Sequence, residues 1–261
     1  MKTARAFFLL LFFAGASAQK NTDVQVEYQA FFDTDMPMKM FTTLYISGNA
    51  AVYQEKYSTK ENWAEKAKPV NNLPGAQTFT HAGIPDDDYL KIDRNKREVL
   101  FFDDIMRNKF LVKDTYPDPA WKITDETKTV AGLSCIKASA MFRGREWTAW
   151  FSPEIPLAFG PWKLQGLPGI ILEAYDSTNK YTFKAIKVEY KKNDMVAKDF
   201  AKIYETKNSK PVTYQKFLDD REEAIANFYA ETAQEMKAKG GSITRNKVPR
   251  SGEELHFEWE P

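Results

Sequence analysis

The sequence is poor in the residues that build most metal and nucleophile sites. It holds one cysteine and two histidines in 261 residues. That excludes a Cys/His zinc cluster and an internal disulfide. No G-x-S-x-G motif, phosphate-cradling glycine loop or dinucleotide glycine fingerprint occurs. An excess of charge of one sign is also lacking: 37 Lys+Arg face 36 Asp+Glu. No basic field is therefore expected to hold nucleic acid. No solenoid repeat or low-complexity block is visible, and no stretch of the mature chain is apolar enough to span a bilayer. What the chain does have is apolar and aromatic residues, 43% and 14% of the total. That is too much for a disordered chain and enough to bury a core without disulfide staples.

The first residues read as a secretory signal. Lys2 and Arg5 are a basic start, Ala6 to Ala14 is a short apolar run, and Ala16-Ser17-Ala18 is an A-x-A cleavage site. A transmembrane anchor is the competing reading, but the run has about half of the ~20 residues a span needs. Cleavage after Ala18 would leave residues 19–261 as a single domain, placed in the periplasm or outside the cell. In that oxidising setting the lone Cys135 is either buried or paired to another chain, and burial is the common fate of a free cysteine.

Much of the mature chain alternates at period two. Val24, Val26, Tyr28, Ala30 and Phe32 share one face of a half-buried strand. Met40 to Ser47 and Ala51 to Tyr57 flank Gly48-Asn49 as a hairpin. Short strands follow at Tyr89 to Asp93, Val99 to Phe102 and Phe110 to Lys113. Asn62 to Pro85, rich in Pro and Gly, reads as an irregular excursion with a helical turn near Trp63 to Lys68. Pro117 and Pro119 mark a break, and Trp121 to Asp125 opens the second half. There, Leu133 to Phe142 and Arg145 to Ser152 form a hairpin about Arg143-Gly144, with Cys135 on the face opposite Ile136, Ala138 and Ala140. Ile170 to Tyr175 and Tyr181 to Tyr190 form the next pair. Consecutive strands with short turns imply an antiparallel meander. The period then changes. From Thr213 to Lys239 the apolar Phe217, Leu218, Ala224, Ile225, Phe228 and Met236 fall mainly on one helical face, with Thr213 as N-cap and Gly240-Gly241 as stop. Such a helix covers an open sheet or meets a partner. Ser242 to Pro261 reads as a loosely held tail, with Leu255 to Trp259 as an edge strand.

The densest signal is Arg143 to Tyr175. It holds Trp147, Trp150 and Trp162, four prolines and several glycines. Leu167-Pro168-Gly169-Ile170 fits a type II turn with positive φ at Gly169, and Gly160-Pro161 a second bend. A stiff connection of this length is often functional. Alternation puts Trp147 inward, with Trp162 closing over it, and turns Trp150 outward. The candidate binding residues are Arg143, Arg145, Trp150, Trp162, Leu167, Pro168 and Tyr175, with Trp150 and Arg143 or Arg145 lining a groove for an aromatic or anionic ligand.

Gly166-Leu167-Pro168-Gly169-Ile170-Ile171 resembles the signature of the GLPGLI family of secreted and envelope proteins from Bacteroidota. The resemblance takes in Gly132 to Cys135, Gly144-Arg145, Ala149-Trp150, Glu154-Ile155-Pro156 and Gly160-Pro161, over roughly residues 98–190. Ile170 departs from the family's Leu, a swap that keeps volume. The resemblance implies a signal-bearing envelope or secreted protein and no established reaction. A fainter likeness to the curved half-barrels of lipoprotein-carrier proteins supplies the fold expectation. That is a mainly β (α+β) protein, a curved antiparallel sheet or half-barrel with one long C-terminal amphipathic helix packed on it.

No catalytic constellation is expected. A Cys135 nucleophile would have to recruit His81 or His256, both remote in sequence. Asp86-Asp87-Asp88 and Asp103-Asp104 offer hard oxygens to a cation but lack EF-hand spacing, and read as solvated turns. The expected function is non-catalytic binding of a small apolar or aromatic ligand, or of an envelope protein. No cofactor, metal or nucleic acid is expected. The alternatives are a hydrolase with carboxylate chemistry, and an assembly subunit engaging an outer-membrane complex through the long helix.

Overall fold

The computed structural model describes residues 23–34, 37–56, 87–208, 210–245, 250 and 252–261. The signal segment, the Asn62 to Pro85 excursion, His81 and Asp86 lie outside them. The described residues form twelve strands: β1 (Val24–Phe32), β2 (Met38–Ser47), β3 (Ala50–Lys56), β4 (Asp88–Asp93), β5 (Glu98–Ile105), β6 (Asn108–Asp114), β7 (Lys122–Val130), β8 (Leu133–Phe142), β9 (Arg145–Ser152), β10 (Ile170–Asp176), β11 (Tyr181–Tyr190) and β12 (Val212–Thr213). One long helix, α1 (Tyr214–Ala238), follows.

All twelve strands join one sheet in the order β12-β6-β5-β4-β3-β2-β1-β11-β10-β9-β8-β7. Two antiparallel meanders are fused where β1 pairs with β11, Val24 opposite Tyr190 and Phe32 opposite Tyr181. The exception to antiparallel pairing is the two-residue β12, which runs parallel to β6. The chain's own connections require the sheet to curl. β6 and β7 are ten steps apart in the order, about 48 Å at ~4.8 Å per step. Yet only residues 115–121 join them, a reach of roughly 25 Å when fully extended. The curl brings the β8–β9 turn against the end of β6, where the Arg143 guanidinium lies 2.9 Å from Asp114.

The inner face carries the main core. The register aligns Val26, Leu44, Tyr53, Leu90 and Phe101 across β1 to β5, and Trp147, Ala149 and Phe151 continue it in β9. The outer face of β3, β5 and β6 is covered too. Val52, Phe102 and Leu111 pack on Phe200, which stacks on Phe102 at 5.1 Å.

α1 starts where the pattern places it. Thr213 Oγ1 accepts from the Lys216 N–H at 3.4 Å. Phe217 is fully buried against Ile105, Phe110 and Val112, and beyond it the apolar stripe opens to solvent, with Phe228 and Met236 exposed. The helix is therefore anchored by its first turns and overhangs the sheet, rather than covering it along its length. No helix among the described residues is long and apolar enough to cross a membrane.

The tail departs from expectation. Leu255 to Trp259 forms no strand. Nor is residue 252 onward loosely held: the Leu255 N–H donates to the Arg143 carbonyl at 2.8 Å, Arg145 Nε donates to the Gly252 carbonyl at 2.9 Å, and Phe257 is buried beside Tyr214. Buried guanidinium groups with donors to spare hold this segment in place of a strand ladder.

Candidate functional site

The connection between β9 and β10 is stiff because it is hydrogen-bonded to itself. Ile170 N–H donates to the Ile155 carbonyl at 3.0 Å and Ile171 N–H to that of Phe159 at 2.9 Å. Ile155, Phe159, Leu164 and Leu167 fill its interior. Trp121 Nε1 and Gln165 Nε2 tie it to the β6–β7 link through the Gln165 and Pro117 carbonyls. The expected type II turn is absent: Gly169 is not among the positive-φ glycines. Glycine is needed there because a Cβ would lie 2.2 Å from the Ser152 carbonyl oxygen, as it would 2.7 Å from Leu164 O at Gly160. Close approach of backbones, not turn handedness, selects both residues. Positive φ falls instead on Gly166, at 95°, and on Trp162, at 52°. The turn at Trp162 sets its indole 5.6 Å from Trp147 and 5.7 Å from Phe142.

The structure splits the candidate residues between the two faces of the sheet. Arg143, with no exposed side-chain surface, pairs with Asp114, Glu254 and Glu258 at 2.8–2.9 Å. Arg145 pairs with Asp176 at 2.9 Å and lies over the Tyr181 ring. Leu167 is buried and Pro168 exposed. Trp150 lies on the other face, aligned with Lys137 and Glu173, and Tyr175 shares that face. Lys128 sits 4.2 Å above the Trp150 ring and 2.6 Å from Glu173. The single groove of Trp150 with Arg143 or Arg145 is therefore not formed, because the pleat sends neighbouring odd and even positions of β9 to opposite sides.

Only Trp162 of the candidates reaches the principal cavity. This open hollow of about 1460 Å³ is lined from the inner face, the β9–β10 connection, α1 and the tail, and it extends round the ends of β4 to β6 to take in Tyr89, Phe102 and Lys109 of the outer face. Its aromatic lining includes Phe32, Tyr53, Phe101, Trp162, Tyr181 and Tyr214. Sequence reasoning missed nearly all of this wall. Alternation marks Phe32 as inward, but nothing local shows that Tyr53, Asp103 and Glu253 share a space with it.

Charge in the cavity is uneven. Lys163 Nζ lies 2.7 Å from Asp114 and 2.8 Å from Glu254. Burial would raise the Asp114 carboxyl, but Lys163 and Arg143 outweigh it and hold it below the ordinary range. For Glu253 and Asp103 burial prevails, although Arg221 lies 3.6 Å from Asp103 and Lys163 acts on both. Burial pushes both carboxyls up, and Tyr214 is raised likewise, with Glu254 adding to the effect. No group of three or more His, Cys, Asp or Glu among the described residues is placed to hold a metal ion.

A family model described as a protein of unknown function (Porph_ging) matches residues 142–173. This segment is similar to that family. It contains the hairpin end, the stiff connection and the start of β10, and the rest of the chain lies outside the match. No curated protein matches the sequence. Among solved structures, PNGF-II is similar in two crystal forms. In space group P21 the TM-score is 0.52 at 15% identity, over 78% of this chain and 34% of that one. In space group C2 it is 0.53 at 16% identity, over 78% and 33%. The chain thus spans about a third of PNGF-II, and identity this low speaks for the fold alone.

Proposed function

We propose that this is a secreted or envelope-located binding protein of the GLPGLI type, without a catalytic role, which holds an apolar or aromatic ligand in the inner cavity. The observation that carries this reading is the aromatic hollow of about 1460 Å³, larger than the roughly 300–1,000 Å³ usual for drug-sized ligands. A site of this size suits an elongated or multi-ring ligand. The signal-like start and the GLPGLI resemblance support a location outside the cytoplasm. The test is titration of residues 19–261 with the neutral fluorophore N-phenyl-1-naphthylamine, beside native mass spectrometry of the purified protein. The expected result is saturable fluorescence that weakens when Phe228 is replaced by Glu. No binding to the probe, together with no co-purifying small molecule, would overturn the reading.

One observation favours a second reading, a hydrolase with carboxylate chemistry: Asp103 and Glu253 line the same cavity and burial raises both carboxyls. Turnover of a nitrophenyl ester or glycoside that is lost in Asp103→Asn, with an unchanged circular dichroism spectrum, would establish it in place of the first.

A further inference from the structure

We infer that the outer face of β11, β1 and β2 docks the protein on an anionic lipid surface, with Phe31 and Phe41 entering the interface and Lys39, Lys56 and Lys184 meeting the head groups. This goes beyond the cavity reading and does not depend on it.

The water-facing side of an antiparallel sheet is normally polar. β1 keeps to that rule at Gln25, Glu27 and Gln29 and then turns Phe31 outward, 42% exposed. β2 turns Phe41 to the same side, 52% exposed. Neither ring joins a core cluster among the described residues. The register sets them side by side. Phe31 stands opposite Lys39, and Gln29 opposite Phe41, so the two phenylalanines are diagonal neighbours with backbones about 7–8 Å apart. Lysines frame the pair. Besides Lys39, Lys56 is opposite Phe41 on β3, and Lys184 is opposite Gln29 on β11.

None of these three lysines has a carboxylate partner among the described residues. The carboxylates near them are answered by other cations. Glu173 lies 2.6 Å from Lys128, Glu27 stands opposite Lys187, and Asp33 donates its N–H to the carbonyl of Lys180. Three unpaired ammonium groups disfavour a second copy of this face, since a two-fold contact would set lysine against lysine. They call for an anionic partner, and the rings call for one with an apolar layer beneath its charge. A lipid surface has both. The rings enter the acyl boundary, and the lysine stems lie along it while their ammonium groups reach the phosphates. Shape agrees with this partner. β2 and β1 are sixth and seventh in the order of twelve strands, so the curl puts the patch at the crest of the convex face, where a flat surface touches first. Phe32, the next residue, points to the other side and lines the cavity.

The test is co-sedimentation of residues 19–261, which contain every described element, with vesicles of phosphatidylcholine alone or mixed with phosphatidylglycerol. The mixed vesicles should bind at least about tenfold more tightly, and high salt should remove most of that preference. Phe31→Ser combined with Phe41→Ser should weaken binding to the mixed vesicles severalfold. Lys39→Gln combined with Lys184→Gln should erase the preference for them. The same loss of charge at the end of α1, Lys237→Gln with Lys239→Gln, should leave it intact. All six positions except the diagonal neighbours' backbones are exposed side chains that carry little stability, and melting curves report that each variant is folded. Absence of binding to the mixed vesicles, or an equal loss from the α1 pair, overturns the docking face. Heparin bound as tightly as the mixed vesicles, with the phenylalanine variants unchanged, assigns the lysines to a soluble polyanion and overturns it as well. The cavity reading stands or falls separately, on the N-phenyl-1-naphthylamine titration.

Discussion

Arg143 shows how much one side chain can organise. Its backbone, at φ 51°, makes the β8–β9 turn, its carbonyl accepts from Leu255, and its guanidinium joins β6 to the tail through Asp114 and Glu254. Replacing it leaves anions buried without their fork-shaped partner, a loss of about 3–5 kcal/mol for a broken buried pair. Arg143→Met should therefore lower the urea midpoint sharply, and it should expose the tail to proteolysis before the sheet unfolds. Cys135 is a contrasting residue. It is free and buried, and burial pushes its thiol up to about 11. A thiol so seldom ionised is a poor nucleophile. Dithionitrobenzoate should label it only after denaturant is added, whereas rapid labelling of the native protein would contradict the burial.

At the scale of elements, α1 has two halves with different duties. Phe217 is fully buried and packs edge-on to Phe110 at 5.8 Å. Phe217→Ala should cost about 3–5 kcal/mol, as large buried aromatics do, and should release the helix. Phe228, 44% exposed, lines the cavity from the overhanging half. Phe228→Ala should leave the melting temperature nearly unchanged and weaken the binding of a neutral aromatic probe. Losing stability at Phe228 and not at Phe217 would reverse this assignment of the anchor. The β9–β10 connection behaves as an element too. Its internal bonds and its ties to the β6–β7 link make it a rigid cavity wall, and Trp162 and Lys163 reach the cavity from it.

For the whole molecule, acid and base responses have opposite origins. Asp114 and Asp176 are held below the usual carboxyl range. At Asp176, bonds from Thr178 and the Tyr181 N–H, then Arg145, outweigh burial. A depressed folded value contributes stability above the unfolded carboxyl pKa of about 4 and loses it as pH falls through the folded one. The protein should therefore unfold cooperatively in acid, below about pH 4. Glu253 has the other sign. Its raised value contributes stability that is present below the unfolded pKa and lost as pH rises through the folded one. Glu253→Gln should match the wild type in urea near pH 4 and exceed it at pH 7.5. No gain at pH 7.5 would mean that the carboxylate is already compensated.

Local pattern was enough to read the strands of the second half, the Arg143-Gly144 turn and the Thr213-capped helix, because period-two and period-3.6 burial are properties of neighbouring residues. It also separated Trp147 from Trp150, since alternation alone assigns their sides. Pairing of β1 with β11, the curl that sets Arg143 on Asp114, and the docking of the tail arise between residues more than 25 positions apart, and no local period encodes them. The cavity belongs to that second class. Its walls come from strands, a loop, a helix and a tail that meet only after the sheet bends, so Tyr53 and Glu253 line one cavity through topology, although each reads in the chain as an ordinary strand or tail residue.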